Sequence, residues 1–424
     1  MASIVTQPVL PRASLAIAAF STIVEWYDFT LYLYFATVLA RVFYGGGAQS
    51  LLITLAGFAG AYFLRPLGAI VFGHIGDRYG RRRMMLASVA LLTVAMLLTG
   101  LLPTRAAIGP AAGWLLFALR CVMGFSVGGE YTGVVAYLLE GAPARRRGLI
   151  TSTAAAASEL GALLAVGLSA ATASAMSAAS LDSWGWRIPF LFGAALAGSV
   201  WIARSTMQES PDFHRQVAEG TVPLRPLAHV SKHHRAAIAR AFSISALGSI
   251  TYYVGITYVP AFLTSAGALA ERDALWLSTV AAVVVILVTP LIGAWSDRIG
   301  RKRVLAVLCL GSAALPITLF SLMASGSRIE ALLGAVVLAG VAGGVSAVGA
   351  VATAEQFPGE GRLTGLALSA TAATAIFGGL TPWIAQLLIA RTGWPLAPGA
   401  MIALVAVCVL PVFLTMRETA PAAA

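Results

Sequence analysis

Charge is scarce in this sequence. Only 11% of its 424 residues are Asp, Glu, Lys or Arg, against about 25% in a soluble domain. With 59% hydrophobic residues and a mean hydropathy of +0.86, no water-soluble fold could cover the apolar surface. Lipid must be the solvent for most of it. Alternating segments are missing too. The apolar runs are unbroken over ~20 residues, which excludes a β-barrel of ~10-residue alternating strands. Cysteine is rare: Cys121, Cys309 and Cys408 lie inside apolar runs, at no metal-ligand spacing. They read as packing residues. No Walker-type phosphate loop is present, so ATP-driven work has no support, and no nucleophile–base arrangement stands out. No metal site and no cofactor are expected. The first 20 residues hold no cleavage site, so no removable signal peptide is expected.

What is present is a set of long apolar runs separated by short basic loops. Twelve helical spans are expected, near 15–40, 50–73, 84–103, 113–138, 149–172, 187–204, 237–264, 274–295, 303–323, 329–353, 363–389 and 394–416. The fold class is an all-α membrane protein, two pseudo-symmetric six-helix bundles at 1–204 and 237–424. A polar stretch, 205–236, joins them as a linker. The net charge of +11 does not point to nucleic acid. Roughly twenty of the 28 basic residues fall in the N-terminus, the even-to-odd loops, the linker and the C-terminus, where they set orientation. Both termini are therefore expected in the cytoplasm, with the chain in a bacterial-type inner membrane. The lipid bilayer is its main partner, and a monomer is expected.

One charged loop occurs twice. Gly73-x-x-x-Asp77-Arg78-x-Gly80-Arg81-Arg82 follows the second span, and Gly293-x-x-x-Asp297-Arg298-x-Gly300-Arg301-Lys302 follows the eighth. A second pair repeats as well. Glu140-x-x-Pro143-x-x-x-Arg147 follows span four, and Glu355-x-x-Pro358-x-x-x-Arg362 follows span ten. Two motifs at matching places mean two copies of one unit. Two membrane-embedded halves sharing loops point to a transporter on a pseudo-two-fold axis.

Charges inside spans cost ~2.5–3.5 kcal/mol each even on lenient insertion scales, so each needs a reason. They are Glu25 and Asp28 in span one, Arg65 in span two, Arg120 and Glu130 in span four, and Glu159 in span five. All belong to the first half. At ~1.5 Å rise per residue, Asp28 and Arg120 both fall ~10 Å below the outer face, so they can pair. Protonation of Asp28 would release Arg120 to bind a substrate carboxylate; the alternative is a permanent structural salt bridge. Glu25 shares the face of Asp28 and either shares the proton, contacts a cationic substrate group or is structural. Arg65 and Glu130 match in depth near the cytoplasmic face and are expected to pair as an inner-gate or structural couple. Glu159 lies near the midplane, where carriers place substrate. Tyr32, Tyr252, Tyr253 and Tyr258 are further binding candidates, with packing as the plainer reading.

At these residues the sequence resembles the major facilitator superfamily, whose most specific mark is the paired loop. Closer still, it resembles the metabolite:proton symporters, which include proline/betaine, citrate, α-ketoglutarate and shikimate carriers. The stretches are Glu25-Trp26-Tyr27-Asp28-Phe29, Arg65-Pro66-Leu67-Gly68, and Arg120-x-x-x-Gly124-x-x-x-Gly128-Gly129-Glu130-Tyr131-Thr132-Gly133. Others are Trp184-Gly185-Trp186-Arg187-Ile188-Pro189-Phe190, Thr251-Tyr252-Tyr253 and Thr257-Tyr258-Val259-Pro260. The resemblance implies Asp28 as proton acceptor with Arg120 as its partner. It also implies loops that latch the inward face, with Asp77, Arg78, Arg81, Glu140, Arg147, Asp297, Arg298, Arg301, Glu355 and Arg362 in structural or gating roles. The expected function is proton-coupled import of a small carboxylate-bearing or zwitterionic metabolite, powered by the proton gradient. A citrate-like trianion would want more arginines than these spans supply. The competing readings are an exporter on the same fold and a non-transporting membrane sensor. A membrane enzyme is disfavoured.

Overall fold

The computed structural model describes residues 10–46, 48–224, 226–266, 269 and 271–420. Among them there is no strand, and the chain runs from helix to helix. Among the described residues, nine helices are long and apolar enough to cross a membrane, or ten if the pair Arg301–Ala314 and Pro316–Met323 is one span bent by 47°. The bend has a plain cause: Pro316 has no N–H to continue the ladder. The two remaining expected spans are helical as well. Arg12–Tyr34 carries Glu25 and Asp28. The seventh span runs through Arg235–Tyr252, a π turn at Tyr253–Thr257 and Val259–Ser265. Large apolar side chains such as Trp114, Leu291, Ile329 and Leu404 lie exposed on the outer surface, as a lipid-facing surface requires.

The chain divides into two compact units. The first comprises Met1–Gly141, Ala157–Leu227 and Gly359–Ala367; the second comprises Ala142–Ala156, Ala228–Pro358 and Leu368–Ala424. The first turns of the helices Arg147–Ala175 and Arg362–Leu366 thus group with the opposite half of the sequence from the one that encodes them. The polar stretch after span six folds into two short helices, Pro211–Glu219 and Pro226–His233. Its first helix is capped by the Ser210 side chain and buries Gln216, so this part of the linker belongs to the packed body of the first unit.

The first unit has a core of Tyr27, Leu31, Phe35, Phe43, Met96, Leu116, Met123, Trp186 and Phe190. Its tightest crossing is backbone on backbone. A Cβ at Gly124 would fall on the Ala61 carbonyl, one at Gly128 on the Arg65 carbonyl, and one at Gly68 on the Phe125 carbonyl. Only glycine permits this approach of the second and fourth spans. The fourth span also breaks here into a 3-10 turn at Val127–Gly129, between Ala111–Ser126 and Glu130–Gly141. The second unit packs around Phe262, Phe320, Met323, Leu338 and Ile402, and around Ile244, Leu305, Val348 and Phe413. Its eleventh span is interrupted by π turns at Ala367–Thr371 and Ala375–Gly379.

Candidate functional site

Apart from the loop contacts, three acid–arginine pairs are buried among the described residues of the first unit. Arg120 Nη1 donates to Asp28 Oδ2 at 2.7 Å, with side-chain exposures of 7% and 3%. At that burial the pairing is what makes either charge tolerable, because removing one partner of a buried pair costs ~3–5 kcal/mol. The Arg120 guanidinium also lies 4.8 Å from the Tyr32 ring centroid and 5.4 Å from that of Phe58. Tyr32 itself donates to the Thr54 carbonyl at 3.2 Å. The second pair joins Arg65 to Glu25 at 3.7 Å, with the guanidinium over Phe29 and Tyr62.

The third pair corrects an expectation. Glu130 does not meet Arg65; it meets Arg204. Arg204 stands in the last turn of the helix Arg187–Ser205, a place where a long cation usually reaches outward to water. Here it is fully buried and turned inward, donating to the Met85 carbonyl at 2.9 Å and to Ser21. Ser88 donates to the other carboxylate oxygen of Glu130. Depth alone cannot choose between partners, because rotation about each helix axis sets the second coordinate. Glu159 is buried in this unit, and both it and Glu25 act electrostatically on Tyr131.

The repeated loops build two carboxylate–arginine clasps, one in each unit. In the first, Asp77 accepts from the backbone N–H groups of Leu363 at 3.2 Å and Thr364 at 2.8 Å. It thereby caps the start of Arg362–Leu366, where four N–H groups lack helical partners. In the second, Asp297 accepts from Gly148 and Leu149, both at 2.8 Å, and caps the start of Arg147–Ala175. Arg81 binds Glu140 and the carbonyls of Gly76 and Gly359. Arg301 binds Asp297, Ser296 and Glu355. Glu140 also holds Arg362 at 2.7 Å, and Arg362 reaches Asp212 at 3.1 Å. Burial pushes the Glu355 carboxyl upward, opposed by Arg301, Thr419 and Arg147. Arg78 and Arg298 stay out of both clasps; each is exposed, and Arg78 lies over the Tyr79 ring.

Two further carboxylates complete the clasps, and sequence reasoning passed over both. The helices Arg81–Leu101 and Arg301–Ala314 each begin after a glycine at φ +107° and +110°, Gly80 and Gly300, which has no side chain to cap them. Glu209 accepts from the N–H groups of Arg81 and Arg82, and Glu418 from those of Arg301 and Lys302. Thr419 then ties Glu355 at 2.6 Å. The one available signal was positional: Glu209 follows the last span of its half and Glu418 the last span of the other.

The second unit carries neutral polar groups on the helices that its π turns interrupt and on the helix that follows them. Tyr258 donates to Gln386 Oε1 at 2.5 Å, Ser249 and Thr374 hydroxyls lie 2.9 Å apart, and Tyr252 and Tyr253 pack edge to face with centroids 5.6 Å apart. Gln386, Ser249 and Thr374 were not legible as polar contacts in so apolar a run. Turns of this kind recur at functional sites because they free backbone groups and re-aim side chains.

Known proteins match this arrangement along nearly the whole chain. The sequence profile of the sugar (and other) transporter family matches residues 15–422. The ectoine/proline transporter ProP of Corynebacterium glutamicum is 34% identical over 396 residues, spanning 89% of this chain and 78% of its own. The α-ketoglutarate permease of Escherichia coli is 34% identical over 374 residues, 87% of this chain and 85% of its own. The citrate-proton symporter of Klebsiella pneumoniae is 29% identical over 387 residues, 91% and 87%. The fold is also that of the proton:xylose symporter XylE bound to 6-bromo-6-deoxy-D-glucose, with a TM-score of 0.80 at 20% identity over 96% of each chain. The chain therefore belongs to this transporter family of the major facilitator superfamily, as a multi-pass membrane protein.

Proposed function

We propose that this transporter is a proton-coupled symporter of the inner membrane that imports a small carboxylate-bearing or zwitterionic metabolite, with both termini in the cytoplasm. The observation that carries the reading is the buried Asp28–Arg120 pair at 2.7 Å. In its resting form each charge cancels the other. A proton on Asp28 removes the counter-charge of Arg120, and a substrate carboxylate restores it. Proton and substrate then bind together because neither alone leaves the buried guanidinium balanced. Ectoine, proline, α-ketoglutarate and citrate, for which relatives are named, all carry carboxylates, which supports the substrate class. Two arginines beside Glu25 and Asp28 favour one or two carboxylates over three. Tyr32 and Glu159 in the first unit, and Tyr252, Tyr253, Tyr258 and Gln386 in the second, are the candidates for the remaining substrate contacts.

The clasps hold the starts of Arg147–Ala175 and Arg362–Leu366. Closing and opening of the cytoplasmic side runs through making and releasing these two caps. Uptake in proteoliposomes tests the coupling: wild-type protein accumulates substrate under an inward proton gradient, and Asp28→Asn loses accumulation while still exchanging substrate across the membrane. Unchanged accumulation and pH dependence in Asp28→Asn would overturn the assignment.

A further inference from the structure

Four polar residues stand on one face of the helix Arg12–Tyr34. Ser21, Glu25, Asp28 and Tyr32 are spaced by four, three and four positions, which stacks them in a single stripe. At ~1.5 Å per residue the stripe is about 16 Å long, half the ~30 Å hydrocarbon thickness. Each member meets an arginine or its counter-ion. Tyr32 lies against Arg120, Asp28 accepts from Arg120, Glu25 faces Arg65, and Ser21 accepts from Arg204. Arg204 stands one residue before the end of its helix, so the lower end of the stripe reaches the inner end of the membrane segment. There Arg204 holds Glu130. Glu25 stands between the two ends. It is within electrostatic reach of Asp28 and Arg65 on one side and of Glu130 and Arg204 on the other. Its Oε2 is buried and makes no hydrogen bond among the described residues.

We propose that Glu130 is the inward exit of a proton route that runs from Asp28 through Glu25 to Glu130. The route rests on the proton-coupled reading above and adds a way out for the proton. The protonated Asp28 carboxyl gives its proton to the Glu25 carboxylate, and the Asp28 carboxylate recovers Arg120. Protonated Glu25 gives the proton to Glu130, and the Glu25 carboxylate recovers Arg65. Protonated Glu130 releases it to cytoplasmic water and recovers Arg204. One proton enters and one leaves, and every carboxylate regains its own guanidinium as the proton passes. The groups around Glu130 are Arg204, Ser88 and, at longer range, Glu25; those around Glu25 are Arg65, Asp28 and Tyr131. Ser88 is held by the Met85 carbonyl at 3.1 Å, and Arg204 donates to the same carbonyl. Arg204 and Ser88, the two groups that hold Glu130, thus meet on one backbone atom, Ser88 through the one hydroxyl proton it shares with Glu130.

The test uses the full-length chain in proteoliposomes and whichever of labelled proline, glycine betaine, α-ketoglutarate or citrate the wild type accumulates. Two readouts are compared: accumulation under an inward proton gradient, and counterflow of label against unlabelled substrate, which needs no net proton movement. Glu130→Gln is expected to cut gradient-driven accumulation by ~10²-fold, the scale of losing a positioned proton carrier, while counterflow persists. Glu130→Asp keeps accumulation. Since Glu130→Gln leaves Arg204 without its counter-ion, the double variant Glu130→Gln with Arg204→Met removes both charges and is expected to show the same split. Wild-type accumulation in Glu130→Gln overturns the exit. So does parallel loss of both readouts in the single and double variants, which would make the pair a structural tie. Asp28→Asn keeps the two levels apart. If it uncouples while Glu130→Gln does not, the exit alone fails; if it stays coupled, the proton-coupled reading fails.

Discussion

Glu209 and Glu418 do the same work 209 positions apart in the chain. Each carboxylate accepts the first two N–H groups of a helix that opens with an arginine after a positive-φ glycine. Neither belongs to the repeated loop it completes. A charged acceptor at a helix start satisfies orphan donors and faces the positive end of the macrodipole, together about 1–2 kcal/mol.

Glu418→Ala should therefore lower the stability of the second unit by ~1–2 kcal/mol. Cys309 offers the readout: its thiol is buried and donates to the Ala406 carbonyl at 3.2 Å. Its labelling by a thiol-reactive dye should begin at a lower temperature in the variant. Unchanged labelling would mean that the cap contributes nothing.

Gly80→Ala and Gly300→Ala should cost more than removing the glutamates. A side chain at φ +107° or +110° is strained, by roughly 1–2 kcal/mol. The added Cβ also comes within 2.9 Å of the Glu209 or Glu418 carboxyl carbon and displaces the cap. Thermal inactivation of Gly80→Ala should then exceed that of Glu209→Ala. The reverse order would show that the backbone relaxes without strain.

Gly128→Ala should disrupt the first unit, with overpacking of ~1–3 kcal/mol or more where backbone meets backbone. Gly57→Ala is the contrast, since its added Cβ would sit 3.5 Å from the Phe117 ring. Size-exclusion profiles of the two should differ: aggregation for Gly128→Ala and a wild-type peak for Gly57→Ala.

Asp28→Asn should uncouple transport; asparagine keeps the shape and an acceptor for Arg120 but leaves its charge uncompensated, so stability should fall by up to ~3–5 kcal/mol. Gradient-driven uptake should fall by ~10²-fold and lose its pH dependence, as expected when a proton carrier is removed. Counterflow measured on the same vesicles separates this from misfolding.

Much of this was legible because the exceptions are conspicuous. Glu25, Asp28, Arg65 and Arg120 stand out in apolar spans, and Asp77 and Asp297 stand out by recurring. What sequence hid has physical reasons. Arg204 sits where an arginine ordinarily reaches water, so nothing marks it as buried. Glu209 and Glu418 lie in polar stretches where glutamate draws no notice. Gly148 and Leu149 take part through backbone N–H groups, which any sequence supplies. The grouping of the two helix starts with the opposite half of the sequence follows from their caps on Asp77 and Asp297, which hydropathy does not encode. The π turns around Tyr253 and Ala375 change hydrogen-bond register without changing composition.

The three pairs Asp28–Arg120, Glu25–Arg65 and Glu130–Arg204 cancel in charge. Membrane voltage therefore exerts no net pull on the three pairs at rest, and what it feels during a cycle is set by the cargo. A proton travelling with a monocarboxylate carries no current, and a proton travelling with a zwitterion carries one positive charge inward. At about 2.3 kcal/mol per charge per 100 mV, the response of uptake to a potassium-diffusion potential would report the net charge that a labelled substrate and its protons carry together.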